Sequence, residues 1–335
     1  MEEEKPESRI KRGYNSRRLY SFFTLQVILN TALPFFALIF CGYAAGRFGL
    51  LSPAAVAGIN TFVFYFALPV FIFNLMATAP LADVLNVKFM AVYLGVGLTV
   101  YAASAISGRL LFDTQLGESA IQGASAVLGN TGYMGLPLVA AAFGQKAAIP
   151  LLLGLTLEAA VLIPLTIAII ESDKGFGGQW TKLVSSVSGS LVRNPLIIAI
   201  FAGVLVSGLS LDLPTPIANF TDLLGDAAGP CALFALGATL AAFPLSTGLR
   251  QTSYMSAFKL FVHPALMWLA MTQIFTIDPL WASVAILGAS LPIAANVFIL
   301  ARQYDTHLER ASSAILLSTM ISVITVSTLL TILPI

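Results

Sequence analysis

LGNTGYMGLPL at residues 128–138 and GASLPIAAN at residues 288–296 interrupt segments that are otherwise apolar enough to cross a bilayer. Glycine removes side-chain bulk, and Pro137 and Pro292 each remove a backbone N–H and block a carbonyl four residues earlier. Within a bilayer, backbone groups released in this way are tolerated only where they are buried in protein or line a cavity. Paired interruptions at corresponding positions of two halves indicate the substrate site of a secondary transporter.

The composition is that of an integral membrane protein. Of the 335 residues, 58% are hydrophobic and 10% are charged, whereas soluble domains carry about 25% charged residues. A membrane-spanning helix needs roughly 20 apolar residues, and the chain divides into about ten such segments, with membrane lipid around them. The predicted spans are residues 27–46, 56–77, 89–111, 119–143, 148–170, 195–213, 227–243, 255–277, 280–301 and 312–333. The net charge of +1 gives no reason to expect a nucleic-acid partner.

The second half of the chain repeats the first. When the sequence is aligned with itself at an offset of 161 positions, all three prolines in residues 34–76 are matched by another proline. Glycine and phenylalanine residues are also matched. The matched pairs include Pro34 with Pro195, Gly42 with Gly203, Pro53 with Pro214, Pro69 with Pro230 and Phe73 with Phe234. Aligning Pro137 with Pro292 needs an offset of 155 (292 minus 137), which predicts that about six residues are missing from the second copy.

Each half holds five predicted spans. Because five is odd, the second copy enters the membrane from the opposite side, which makes an inverted repeat. The fold class is therefore an all-α membrane protein of ten transmembrane helices in two inverted five-helix repeats, with broken helices 4 and 9 crossing at the midplane. The predicted organisation is a polar tail at 1–24, a first repeat at 25–171, a cytoplasmic connection at 172–189 and a second repeat at 190–335. Ordinary transmembrane kinks are the alternative explanation for each interruption taken singly.

Basic residues favour one side of the membrane. They lie in the connections after the odd-numbered spans, at Arg47, Arg109, Lys174, Lys182, Arg193, Arg250, Arg302 and Arg310. The positive-inside rule makes these connections cytoplasmic and puts both termini outside. The basic residues of the tail argue for the opposite orientation.

The first interruption offers groups that can bind a ligand. Asn130 and Thr131 carry an amide and a hydroxyl, Gly132 and Gly135 let a ligand approach the backbone, and Tyr133 adds an amphipathic ring. The N-termini of half-helices at such a crossing carry partial positive charge, which favours an anion such as a carboxylate. The alternative is that the polar groups only cap freed backbone atoms.

Four further asparagines are judged by their positions in the predicted spans. Asn296 follows Pro292 and matches the polar groups of the first interruption, and Asn74 is a buried amide late in the second span. We therefore include both in the predicted site. Asn60 and Asn194 lie near span ends and are interpreted as interfacial.

Three ionisable residues lie within predicted spans and are candidates for proton coupling. Glu158 is near the middle of the fifth span, where a charged carboxylate is costly, so it is expected to face the bundle interior. A structural hydrogen bond is its alternative role. Lys259 and His263 are four residues apart and so share a helix face. We expect the Lys259 side chain to extend to the cytoplasmic surface; the alternative is that it stays inside the bundle. We expect His263 to hydrogen-bond a backbone carbonyl freed by Pro264.

Motifs for catalysis and for ATP binding are missing from the sequence. It contains no GxxxxGK[ST] phosphate loop and no HExxH pair, and it has only two histidines. We therefore do not expect ATP-driven pumping by this chain alone. We predict no enzyme activity, no cofactor and no metal site.

Several segments resemble the auxin efflux carrier family, especially its bacterial members. They are ILNTALPFFALIFCGYAAGR at 28–47, NTGYMGLPLVAAAFG at 130–144, KLFVHP at 259–264 and LPIAANVFILARQYD at 291–305. The resemblance implies the crossover fold of bile-acid symporters and sodium/proton antiporters. Spans 1, 2, 6 and 7 would then form a scaffold that can be dimeric, while spans 3 to 5 and 8 to 10 would move as a transport domain.

The resemblance also implies a function. Bacterial relatives include malonate and malate carriers, so we expect a secondary transporter for a small mono- or dicarboxylate in the bacterial inner membrane. The alternatives are a sodium-coupled symporter of the bile-acid type and an exporter of an auxin-like aromatic carboxylate. The coupling ion, proton or sodium, stays open.

Overall fold

The computed structural model describes residues 32–80, 86–174, 189, 193–243 and 248–333. The polar tail predicted at 1–24 lies outside this part, as do residues 175–188 of the predicted connection. Within the described residues the chain is helical apart from short connections, and one isolated antiparallel bridge joins Gly129 to Ile293.

In the first half, the helices follow the predicted order, and the fourth is divided in two. They are α1 (Leu33–Arg47), α2 (Pro53–Ala77), α3 (Val87–Phe112), α4a (Leu116–Val127), α4b (Thr131–Phe143) and α5 (Ala148–Asp173).

In the second half, helices of similar length follow in the same order as in the first half, and the ninth helix is divided in two. The helices are α6 (Pro195–Gly208), α7 (Thr215–Leu240), α8 (249–274), α9a (Pro279–Ala289), α9b (Ala295–Gln303) and α10 (Leu308–Ile332). The start predicted for the seventh span, at residue 227, is wrong. Helix α7 begins at Thr215 with Pro216 in its first turn, where proline is well accommodated, so the polar stretch before residue 227 is also helical.

Five described helices are long and apolar enough to cross a bilayer, namely α2, α3, α5, α7 and α10. Helices α1, α4b, α6 and α9a are shorter and apolar. Together with the hydrophobic composition, these helices identify an all-helical membrane protein.

Prolines shape several of the helices by widening one turn. A proline lacks the N–H for an ordinary helical bond, so the preceding turn bonds to the carbonyl five residues back. Such five-residue turns precede four prolines, at Val63–Ala67 before Pro69, Thr131–Gly135 before Pro137, Glu158–Leu162 before Pro164 and Phe258–Val262 before Pro264. Glu158 and Lys259 each lie in one of these turns. A local widening therefore sets the direction of both charged side chains.

Two helix pairs join the halves closely. Helix α1 packs on α7, and α6 packs on α2. A methyl group on Gly42 would overlap the carbonyl oxygen of Phe234, and one on Gly203 would lie 2.8 Å from the carbonyl oxygen of Phe73. Glycine is therefore required at both positions for the helix backbones to touch. The remaining helices form a second group, in which α3 and α5 pack on α4a and α8 packs on α10.

Candidate substrate site at the helix crossover

The two interruptions meet and hydrogen-bond to each other. The Asn130 N–H donates to the Pro292 carbonyl oxygen at 2.8 Å, and the Ala294 N–H donates to the Leu128 carbonyl oxygen at 3.0 Å. These bonds satisfy backbone groups that the interruptions release, as a bilayer requires. The two interruptions therefore form a short antiparallel contact between the two halves.

The predicted alignment of Pro137 with Pro292 is wrong. The second half-helices begin at Thr131 and Ala295, so these helix starts correspond at an offset of 164 (295 minus 131) rather than 155. Pro292 lies in the interruption itself, whereas Pro137 lies within α4b, after the wide turn. Proline can disturb a helix in either place, which is why matching the two residues by type aligned the halves incorrectly.

The second half-helices begin at a cavity of about 700 Å³. Its lining includes the predicted residues Asn130, Thr131, Gly132, Tyr133, Glu158 and Asn296. Gly132 has open space where a side chain would lie. The N-termini of α4b and α9b therefore face one space, and their partial positive charge favours an anion there.

Two polar atoms at the cavity have no partner among the described residues. The Asn130 side chain is 5% exposed and Thr131 is 1% exposed, and neither Asn130 Nδ2 nor Thr131 Oγ1 makes a hydrogen bond. A buried polar group without a partner costs about 1–3 kcal/mol. A carboxylate oxygen would accept a hydrogen bond from either group.

Several predicted site residues lie behind the cavity wall rather than on it. A methyl group on Gly135 would lie 2.5 Å from Leu291 Cδ1, so Gly135 lets the two interruptions pack. Pro137 packs against Gly229 of α7, and Pro292 contributes its carbonyl to the crossing. These residues support the site without lining it.

Asn74 lies elsewhere. Its Nδ2 donates to Asp222 Oδ1 of α7 at 3.1 Å, outside the cavity lining. The structure thus gives Asn74 a contact between the two halves and does not bring it to the crossing.

Glu158 faces the bundle interior, as expected. It is 5% exposed, lines the cavity and accepts a hydrogen bond from the Tyr93 hydroxyl at 2.9 Å. The carboxyl group therefore has both a fixed partner and access to the cavity, which is what exchange of a proton with a bound ligand or water requires.

The favoured prediction for Lys259, that it extends to the membrane surface, is wrong. Lys259 is 0% exposed, and its Nζ donates to the Ala289 carbonyl oxygen at 2.6 Å. The wide turn in α8 directs the side chain toward the end of α9a. His263 does not bond a freed carbonyl through its Nδ1, which lies 3.3 Å from Lys259 Nζ, and its Nε2 has no partner among the described residues.

Sequence reasoning gave other roles to three polar residues that line the cavity. Arg302 lines the cavity from the last turn of α9b, and no described residue pairs with its guanidinium. Asn60 and Asn194, which were interpreted as interfacial, also line it, and Asn60 Nδ2 donates to Thr239 Oγ1 at 3.0 Å. Arg302 follows Asn296 by six residues, about 1.7 helical turns, which does not place the two side chains on one helix face, so the sequence pattern contains no signal for Arg302.

The sequence profile of the membrane transport protein family matches residues 27–330. The chain belongs to this family. The predicted resemblance to auxin efflux carriers is thereby confirmed, and the protein is a multi-pass membrane transporter rather than an enzyme.

Relatives of the transporter match along nearly their whole length. The "Putative malonate transporter" of Rhizobium meliloti (strain 1021) is 37% identical over 303 residues, which cover 90% of this chain and 95% of the relative. An uncharacterized transporter of Methanothermobacter thermautotrophicus is 25% identical over 88% of this chain and 95% of its own length. Auxin efflux carrier component 8 of Arabidopsis thaliana is 24% identical over 91% of this chain and 96% of its own length.

Proposed function

We propose that the transporter carries a small organic anion, a mono- or dicarboxylate such as malonate or malate, across the bacterial inner membrane by alternating access. The proposal rests on the cavity-lining residues Asn130 and Thr131, whose buried side-chain amide and hydroxyl have no hydrogen-bond partner among the described residues. They lie at the positive end of α4b, and the Arg302 guanidinium lines the same cavity. The relative whose printed name refers to malonate supports a carboxylate.

The transporter is proposed to consist of two inverted five-helix repeats. In this proposal α1, α2, α6 and α7 form a scaffold, and the other helices form a transport domain that rocks or slides against it. The reciprocal glycine contacts support a two-fold relation. Gly42 and Phe234, and Gly203 and Phe73, are the same two residue pairs related by the 161-position offset.

Two scaffold copies are proposed to associate as a homodimer. Exposed apolar side chains on α1 and α6, Phe40 at 70% and Phe201 at 71% exposed, support such a contact. The proposal is tested by chemical cross-linking of the purified protein, at detergent concentrations that preserve subunit contacts and at higher ones that separate subunits. A protein that is monomeric under both conditions contradicts the homodimer.

The proposed substrate class is tested by counterflow into proteoliposomes. Malonate, malate, pyruvate, lactate and indole-3-acetate are compared as unlabelled internal anions. We expect exchange with at least one small carboxylate, and weaker exchange after Asn130→Ala. Asn74→Ala is the matched control, because its amide bonds Asp222 outside the cavity. Absence of exchange with every carboxylate contradicts the proposed function.

Glu158 is proposed to carry a proton during transport. It lines the cavity and is hydrogen-bonded to the Tyr93 hydroxyl. We expect Glu158→Gln to abolish the effect of an imposed pH gradient on malonate uptake while leaving exchange of anions measurable. The comparison is made against Tyr93→Phe, which keeps the carboxyl group and removes its partner. Uptake that responds to the gradient equally in Glu158→Gln and the unaltered protein contradicts this role.

A further inference from the structure

Two helix C-termini converge behind the crossing. Helix α4a ends at Val127 and α9a ends at Ala289, and the interruptions that follow them are joined by hydrogen bonds. The last carbonyl groups of a helix lack partners within the helix and carry partial negative charge. In transporters with broken helices, such ends and the adjoining unwound carbonyls coordinate free cations.

The Lys259 ammonium occupies this place. Its Nζ lies 2.6 Å from the Ala289 carbonyl oxygen, and the side chain is completely buried. A methyl group on Gly129 would lie 3.3 Å from the same Nζ and 3.1 Å from the Gly288 carbonyl oxygen. The ammonium is therefore enclosed by the backbone of both interruptions.

The neighbours of Lys259 are groups that can interact favourably with an ammonium. An ammonium group only donates hydrogen bonds, so the His263 Nδ1 that faces it at 3.3 Å acts as the acceptor. Glu158 interacts electrostatically with Lys259 without a direct ion pair. The surroundings thus provide a carbonyl, an imidazole nitrogen and a nearby carboxyl group, which are groups that favour a cation.

We propose that the Lys259 ammonium is the resident cation of the crossing, in the position that a free alkali cation would otherwise take. The transporter then works without sodium, and removing the ammonium opens a site for sodium or for a small organic ammonium ion. This inference extends the proposed transport function. Its counterflow measurements depend on that function, and its unfolding measurements do not.

The experiment compares the purified protein with Lys259→Ala and Lys259→Arg in sodium, methylammonium or choline chloride at equal ionic strength. Thermal unfolding is measured without any carboxylate, and malonate counterflow is measured separately. We expect sodium and methylammonium to raise the unfolding temperature of Lys259→Ala above its value in choline. The unaltered protein, Lys259→Arg and the exposed-lysine control Lys88→Ala are expected to show no such rise. Counterflow by Lys259→Ala is expected to fall about tenfold in choline, as for a lost charged hydrogen bond, and to recover with either small cation.

Three results overturn the proposal. The first is counterflow by the unaltered protein that requires sodium, and the second is full activity of Lys259→Ala in choline. The third is a Lys259→Ala protein that responds to neither small cation, or that fails to fold in all three salts, since the proposal requires a free cation to replace the ammonium. A transporter that moves no carboxylate refutes the proposed function instead, while the unfolding measurements still decide the role of Lys259.

Discussion

Arg302 shows how a residue at the edge of the substrate site can select its ligand. Arg302 lies in the last turn of α9b and Asn296 in its first turn, and both residues line the cavity. In the proposed function, a ligand with one carboxylate at Asn130 and Thr131 would find a cationic contact for a second carboxylate at Arg302, which lines the same cavity. A dicarboxylate would use both contacts, and a monocarboxylate would use one.

We expect Arg302→Gln to weaken malonate binding by about tenfold or more, because a hydrogen bond to a charged group is worth about 1.5–3 kcal/mol, and to weaken acetate binding less. The measurement is competition by each anion in counterflow. Arg302→Lys keeps the charge without the bidentate fork and is expected to be intermediate. Arg109→Gln, which removes an exposed arginine outside the cavity lining, serves as the control. An equal loss for both anions contradicts selection by Arg302.

His307 makes stability depend on pH outside the membrane-spanning helices. It lies in the connection between α9b and α10, with its Nδ1 3.5 Å from Glu118 Oε1 and its side chain 2% exposed. Burial lowers the pKa of His307, and the nearby Arg310 adds to this effect, although Glu118 opposes it. A depressed pKa means that the unfolded state binds the proton more readily, so acidification destabilises the folded protein.

We expect the unfolding temperature to fall as the pH decreases below about 6.5, the ordinary pKa of histidine. His307→Asn is expected to flatten this dependence between pH 7 and 5.5, since asparagine tolerates the left-handed backbone conformation (φ 57°) at this position. The maximal slope attributable to one proton is about 1.4 kcal/mol per pH unit. If acid stabilises the unaltered protein relative to His307→Asn, the Glu118 interaction is the stronger effect.

At the scale of helices, the site depends on the orientation of four half-helices, two of which direct their N-termini and two their C-termini toward the crossing. The N-termini of α4b and α9b face the cavity, while the C-termini of α4a and α9a meet near Lys259. Helix dipoles thus favour a negative group in the cavity and a positive side chain at Lys259. The wide turns before Pro164 and Pro264 direct Glu158 and Lys259 toward this region.

Gly129→Ala tests the crossing of the half-helices. Its methyl group would be crowded by the Gly288 carbonyl and by Lys259, so we expect a loss of about 1–3 kcal/mol, as for overpacked cores, together with reduced transport. Gly132→Ala is the matched variant, because open space surrounds that position. It is expected to keep the unfolding temperature and to affect only ligand binding. Equal unfolding temperatures for the two variants would contradict the tight crossing.

At the scale of the whole molecule, the two halves are held together by helices of one half that pack on helices of the other. Helix α1 of the first half packs on α7 of the second, and α6 of the second packs on α2 of the first. The close contacts use Gly42 and Gly203, which are related by the sequence offset. Packing of small residues is the usual means of helix association in a bilayer, where lipid removes the hydrophobic driving force between helices.

We expect Gly42→Ala and Gly203→Ala to lower the unfolding temperature to a similar extent, with a cost of about 1–3 kcal/mol each from overpacking. Gly58→Ala and Gly95→Ala are the controls, because no atom lies within 4 Å of the added methyl group at either position. Thermal unfolding of the four purified variants in one detergent makes the comparison. A large effect at only one of Gly42 and Gly203 would argue against equivalent contacts in the two halves.

The sequence by itself determined the membrane class, the order of the helices and the location of the two interruptions. Long apolar segments can only be helices in a bilayer, and glycine and proline at 128–138 and 288–296 act on the backbone locally. The family match and the cavity lining at Asn130, Thr131 and Asn296 agree with those predictions.

Only the tertiary structure decided which backbone positions pair and where the long side chains end. Pairing of Gly129 with Ile293 depends on hydrogen bonds between segments far apart in the chain, which residue type alone does not specify. Lys259 is attracted to the end of α9a rather than to the membrane surface, since a wide turn in α8 directs it there. Arg302 joins the cavity through the direction of α9b. Each outcome depends on the relative placement of two helices, and a sequence pattern describes one helix at a time.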